Sequence, residues 1–206
     1  MSTPTSATLR RQQEGHLYEI LNSFIPKEEW SDPLLDLDNT PERVIRAWAS
    51  EFFKGYSPKE EARLRRKFKT FKASKVEVTG NPLPMVVQAD VPFTSLCAHH
   101  LLPFRGVAHF GYIPDKRVVG LSKIAWVLDH FAARAQIQET LTDQVLDYVE
   151  NRLHSRGSIL VLRAEHLCMA CRGPRKSGVA TSTAALRGLA MTDASVRSEF
   201  YSLIKG

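Results

Sequence analysis

At 206 residues, 43% of them hydrophobic and 24% charged, the chain is sized for one well-buried soluble domain with an N-terminal extension. No run approaches the roughly 18 consecutive apolar residues of a membrane helix, and the opening MSTPTSATLRRQQEG lacks the apolar core of a secretory signal. Neither a membrane-spanning helix nor export is therefore expected, and a cytoplasmic location is; the net charge of +6 suits an anionic partner without choosing among nucleic acid, a membrane surface and a phosphorylated small molecule.

Residues 1 to about 8, rich in Ser, Thr and Pro, read as disordered. Leu9, Leu17, Ile20, Leu21 and Phe24 then fit an amphipathic helix reaching about Phe24. In NTPERVIRAWASEFFKGY, Thr40 is the expected N-cap and Pro41 the first helical residue, with Val44, Ala47, Trp48 and Phe52 as the apolar stripe and Gly55 as the stop. Residues 1–39 are expected to be an extension, partly disordered and then helical, and 40–206 a single domain, since no repeat or linker argues for another. The basic run RLRRKFKTFKASK, Arg63 to Lys75, interleaves two phenylalanines and could track a nucleic-acid backbone, but such runs are more commonly a solvated helix face.

The period then changes. Residues 85–95 (MVVQADVPFTS) and 106–113 (GVAHFGYI) read as antiparallel strands, and YIPDKRVVG as a turn. Ile124, Val127, Leu128 and Phe131 form one helical stripe and Ile137, Leu141, Val145 and Val149 a second, with a break near Ala135. SILVLRAEHLCMACRG and SGVATSTAALRG return to strand composition. Helices, two strands, two helices and two strands describe an α+β fold, an antiparallel sheet with two helices on one face.

Three cysteines are too few, and odd in number, for a disulfide framework, so thiol or metal chemistry is the better use for them. In CAHHLLPF, Cys97 and His100 have the C-x-x-H spacing of two ligands to one zinc ion. If the strand before EHLCMACRG continues, His166, Cys168 and Arg172 share a face while Cys171 points away, and Cys168 completes a set of three. The rival is a closed structural site in which Cys171 is the fourth ligand. It would leave His99 and His166 beside the metal with no evident structural task. In VVGLSK, Ser122 is the expected helix N-cap with Lys123 just inside, a seat for phosphate or simply a capped helix start. Gln138 and Glu139 open the next helix, and a carboxylate there can accept two N–H donors, the pattern on guanine's amino-pyrimidinone edge.

Taken together, CAHHLLPF, GYIP, GLSK, QIQETLT and EHLCMACRG, with TPERV upstream, resemble GTP cyclohydrolase I in the family's own motif order from about Thr40 to Gly188. The resemblance implies a tunnelling fold (T-fold) and hydrolysis of GTP to formate and 7,8-dihydroneopterin triphosphate, opening a pterin/folate or 7-deazapurine pathway. It implies zinc on Cys97, His100 and Cys168, with water attacking purine C8 at the open position. His166 and His99 become acid/base groups, Ser122 a proton carrier in the sugar rearrangement, Glu139 and Gln138 guanine readers, and Lys123, Arg172 and Arg43 triphosphate ligands. GTP is then the partner, with no nucleic acid or membrane, in a homo-oligomer, a decamer with sites between subunits.

Two positions depart from the family pattern: Ala98 stands where relatives carry glutamate, and Trp126 where they carry arginine. Each missing charge-assisted hydrogen bond is worth roughly 1.5–3 kcal/mol. A related purine-ring-opening enzyme with another nucleotide or product, and a non-catalytic zinc-binding homologue, are the alternatives these departures raise.

Overall fold

In the computed structural model, which describes residues 6–73 and 84–205, the run SILVLRAEH is a central strand with both faces covered. Contacts divide the chain into two units, Met1–Lys54 and Gly55–Gly206. No helix among the described residues is long and apolar enough to cross a membrane.

The first unit holds α1 (Ser6–Asn22), α2 (Lys27–Trp30) and α3 (Thr40–Ala47). The helix-favouring run ATLRRQQE carries α1 back to Ser6, so residues 6–8 are helical rather than disordered, while 1–5 lie outside the described residues. Thr40 is not a cap. A 3-10 turn, Leu37–Asn39, runs straight into α3, so Thr40 is already its first residue and Asn39 precedes it.

The second unit opens on Gly55, which stops no helix. A Cβ there would lie 2.2 Å from the His130 carbonyl oxygen and 2.7 Å from that of Ala133, so only glycine lets the backbone approach so closely. Next come α4 (Pro58–Lys67) and β1 (Thr70–Lys72). Leu64 is the residue α4 buries, which makes its basic run a solvated helix face, and Ser74 and Lys75 lie outside the described residues. A small two-stranded sheet pairs β1 with β4 (Arg117–Val119), so RVV within the expected turn is a strand.

The main sheet contains β2 (Val86–Cys97), β3 (Pro103–Ile113), β5 (Ala135–Gln136), β6 (Gly157–His166) and β7 (Ala180–Gly188), ordered β5-β2-β3-β6-β7. All neighbours are antiparallel except β5, which runs parallel to β2. Leu160, Leu162 and Ala164 of β6 pack under α5 (Leu121–Ala132) and α6 (Gln138–Leu153), together with Ile124, Val127, Leu128, Leu141, Val145 and Val149. This is the expected α+β arrangement, two helices on one face. Ile159 and Val161 point the other way, onto Val196 and Phe200 of a C-terminal helix that the sequence reading did not anticipate. With α7 (Leu167–Ala170) and α8 (Leu189–Thr192) before it, that helix is α9 (Ala194–Leu203).

The link from α5 to α6 is held by buried polar contacts. Arg134 donates to the Gly55 carbonyl at 2.9 Å and to His130 Nε2 at 2.8 Å, and the fully buried Ser95 hydroxyl donates to the Ala132 carbonyl at 2.7 Å. Because a guanidinium only donates, His130 Nε2 is the acceptor and the ring is neutral. Burial, and then the charge of Arg134, hold the His130 pKa below its ordinary 6.5. The unfolded state thus binds the proton more readily, and stability present above pH 6.5 is lost as pH falls from there toward the folded-state value. Thermal melts should show a midpoint that is flat above neutrality and declines below pH 6.5; His130→Gln, whose amide oxygen can accept from Arg134, should weaken that decline.

Candidate active site

The sheet brings its chemistry to one end. Cys97 is the last residue of β2, and the turn after it closes on itself: Cys97 N–H donates to the Leu102 carbonyl at 2.9 Å and Leu101 N–H to the Cys97 carbonyl at 2.8 Å. That turn swings the His100 ring back until Nδ1 lies 3.7 Å from Cys97 Sγ. Cys168 arrives from β6, although not by strand alternation. The strand ends at His166, and Leu167–Ala170 is a single helical turn, α7. Cys97, His100 and Cys168 present ligand atoms that all lie within 4.8 Å of one another. Tetrahedral zinc would place two sulfurs about 3.8 Å apart, so the spacing fits a single ion. Cys171 does not join the group; it is exposed, and its thiol donates to the Leu167 carbonyl at 2.9 Å. Burial first, then hydrogen bonding to Cys97 and the Cys97 charge, push the Cys168 thiol pKa up. A cation beside Cys168 would act in the opposite sense and favour its thiolate.

Beside this group lies a cavity of about 300 Å³ lined by Cys97, His99, His100, Gln138, Glu139, His166 and Cys168 among others. His166 lies flat on Phe104, ring centroids 4.6 Å apart and planes 4° from parallel, because the register pairs these two residues across β3 and β6. Its Nε2 is 2.8 Å from Gln138 Oε1. The Gln138 amide nitrogen is shared among the Leu162 carbonyl (3.2 Å), the Thr181 carbonyl (3.1 Å) and Thr183 Oγ1 (3.1 Å), and the residue is only 1% exposed. These acceptors fix the amide with its oxygen toward the imidazole. His166 must then donate from Nε2, which leaves Nδ1 as the nitrogen free to accept a proton. Burial lowers its pKa while the Glu139 carboxylate acts in the opposite sense.

Of the residues singled out from sequence, seven therefore meet at one cavity. Ser122, Lys123 and Arg172 are not among its lining residues, and Arg43, in the first unit, is ion-paired with Asp36. Nor does Ser122 cap α5. Gly120 holds that position in extended conformation (φ −65°, ψ 133°) and its carbonyl receives the Lys123 N–H at 2.8 Å, so Ser122 is the second helical residue. Ile137, expected in the stripe of α6, precedes that helix, is 43% exposed and lines the cavity. Sequence reasoning missed Phe104, Thr142, Thr181 and Thr183. The alternating threonines of ATSTAALRG were the available signal for a polar stripe facing α6.

The GTP cyclohydrolase I family model matches residues 16–205. The chain is 42% identical over 170 residues to GTP cyclohydrolase 1 of Aquifex aeolicus (strain VF5), covering 82% of this chain and 85% of that one. It is 44% identical over 171 residues to GTP cyclohydrolase 1 of Pelotomaculum thermopropionicum, with 82% and 85% covered. The corresponding protein of Mycolicibacterium vanbaalenii is 46% identical over 170 residues, with 82% and 79% covered.

Gln138→Leu keeps the volume but removes both the amide oxygen facing His166 and the donor that three acceptors share. It is expected to cost about 1–3 kcal/mol of stability, the scale of leaving buried polar groups unpaired. In ¹⁵N NMR of the imidazole, the His166 signal should move from an Nε2–H tautomer to a mixture.

Proposed function

The chain belongs to the GTP cyclohydrolase I family, and we propose that the Cys97–His100–Cys168 group and its cavity are the active site where GTP is converted to formate and 7,8-dihydroneopterin triphosphate. The carrying observation is convergence: three metal-type ligands, two further histidines and a carboxylate line one space.

Two thiols and an imidazole suit zinc, and three protein ligands are the pattern of a catalytic rather than a closed structural site. Zinc held there would bring the pKa of water down toward 7 and supply hydroxide at neutral pH. The chain's own residues then bind, orient and exchange protons. Glu139, exposed in the first turn of α6 and lining the cavity, accepts the two N–H donors of the guanine edge. His166, held by Gln138 and Phe104, takes and returns a proton through Nδ1. Gln138, expected as a direct reader of guanine, works chiefly by fixing that imidazole, because its amide is already committed. His99, exposed on the turn, is the second acid/base group.

Ser122, Lys123, Arg172 and Arg43 are assigned to the sugar and triphosphate. Because Ser122 and Lys123 do not line this cavity, they serve GTP best across a subunit boundary, in a homo-oligomer such as the decamer the resemblance implies. All three cysteines are free, which suits a reducing cytoplasm. The product suits the first step of a pterin/folate or 7-deazapurine pathway.

Zinc-loaded protein mixed with GTP should release formate and 7,8-dihydroneopterin triphosphate in equal amounts, read by formate assay and by mass after oxidation and dephosphorylation. Chelation should abolish both and added zinc should restore them; Cys168→Ser should not be restored. Formate without a pterin would instead favour the related ring-opening enzyme.

A further inference from the structure

The indole of Trp126, on α5, gathers two ammonium groups: Lys123 Nζ lies 4.0 Å and Lys67 Nζ 4.6 Å from the ring centroid. Lys123 comes from the same helix, three residues earlier, and its stem folds back over Gly120, where an added Cβ would lie 3.5 Å from its Cγ and Cε. Lys67 comes from a separate element. It is the last residue of α4, and buried Leu64 and Phe68 on either side of it hold its backbone in place. Among the described residues neither lysine has a carboxylate partner, whereas Arg63 and Arg65 of the same helix pair with Glu60 and Glu61. Two like charges repel at this range; the electron-rich ring face attracts each of them and so concentrates positive charge that is ion-paired with no acid among the described residues. The ring itself is 36% exposed, open to a ligand. The N-terminal end of α5 adds to the same positive field.

We propose that Lys67 is a further polyphosphate-binding residue, positioned together with Lys123 by Trp126 to neutralise the triphosphate of the substrate. The inference rests on the reading of Lys123 as a triphosphate ligand. Trp126 acts as a positioning residue: it carries no charge and sets where two charges stand. Lys67 then binds through charge, not through the base, so its contribution falls as phosphates are removed from the nucleotide and as salt is added.

The test uses the full chain, loaded with zinc, in two assays. In steady-state kinetics at low salt, Lys67→Ala should raise KM for GTP about tenfold, the scale of one charge-assisted contact, with kcat unchanged. The rise should shrink at high ionic strength. Adding Trp126→Arg to Lys67→Ala, which puts a cation on α5 itself, should recover most of the KM. Inorganic tripolyphosphate, titrated against Trp126 fluorescence with Trp126→Phe as the blank, should bind the wild type and bind Lys67→Ala about tenfold more weakly. If KM and tripolyphosphate affinity both match the wild type, the lysines merely stack on a surface ring and the proposal fails. A fall in kcat at unchanged KM also overturns it. Should the wild type release no formate from GTP, the activity reading fails, and the tripolyphosphate titration still decides Lys67 alone.

Discussion

Two residues of parallel pairing hold the site together: Leu96 with Ala135 and Cys97 with Gln136. Parallel neighbours need a long connection, and here it runs through β3, β4 and α5. Its return stroke lays β5 beside the end of β2, so Cys97 sits next to the segment that opens α6 with Gln138 and Glu139. Ala98 N–H donates to the Gln136 carbonyl at 2.9 Å and extends the pairing into the CAHH turn. Because two residues of ladder are weak alone, side chains reinforce them. Ser95 and Arg134 tie down the end of α5, and the buried amide of Gln136 donates to the Phe131 carbonyl at 2.8 Å and to Gln144 at 3.0 Å. The distance between metal group and carboxylate is therefore set by buried hydrogen bonds rather than by a mobile loop.

The same logic explains a fully buried glutamine beneath the cavity. A leucine at 138 would satisfy the apolar core; the amide instead joins α6, β6 and β7 to the imidazole of His166. Thr142 completes the network, its hydroxyl 2.7 Å from both the Gln138 carbonyl and Thr183 Oγ1. A satisfied polar network of this kind gives up some hydrophobic stabilisation for a single geometry. Phe104 closes the other side by stacking on the ring. One nitrogen of His166 is thereby committed to Gln138 and the other left as the acceptor, the division that the proposed proton-transfer role requires.

Much of this was legible in the sequence, and the failures share a cause. The order of the central strands and helices, and the nearness of Cys97 to His100, follow from period and spacing. The reason given for Cys168 does not, since strand alternation stops at His166 and a helical turn takes over. Local pattern carries no signal for that switch. SILVL reads as a continuous apolar run because Ile159 and Val161 are covered by a helix on the second face, whose existence a one-sided reading does not require. Ser122 looked like a cap because serine caps helices, yet Gly120 in extended conformation starts the helix earlier. Gln138 could be placed at the site from its motif, but whether it faces ligand or core depends on strands more than twenty residues away.

The two departures from the family pattern are physically different. Ala98 is exposed and is held through its backbone N–H, which donates to the Gln136 carbonyl, so the shape of the turn does not depend on the side chain there. Glu139 is the carboxylate among the lining residues, and its charge acts on His166 against the lowering of that imidazole's pKa by burial. At 126, a charge is exchanged for a surface that collects charges from two other residues. Against the pattern that the resemblance implies, one change removes a negative group and the other a positive one, so the two together leave the net charge of the chain unaltered. Positive charge beside position 126 is left on the ammonium groups of Lys123 in α5 and Lys67 in α4, point charges on flexible stems whose pull on an anion is screened by salt.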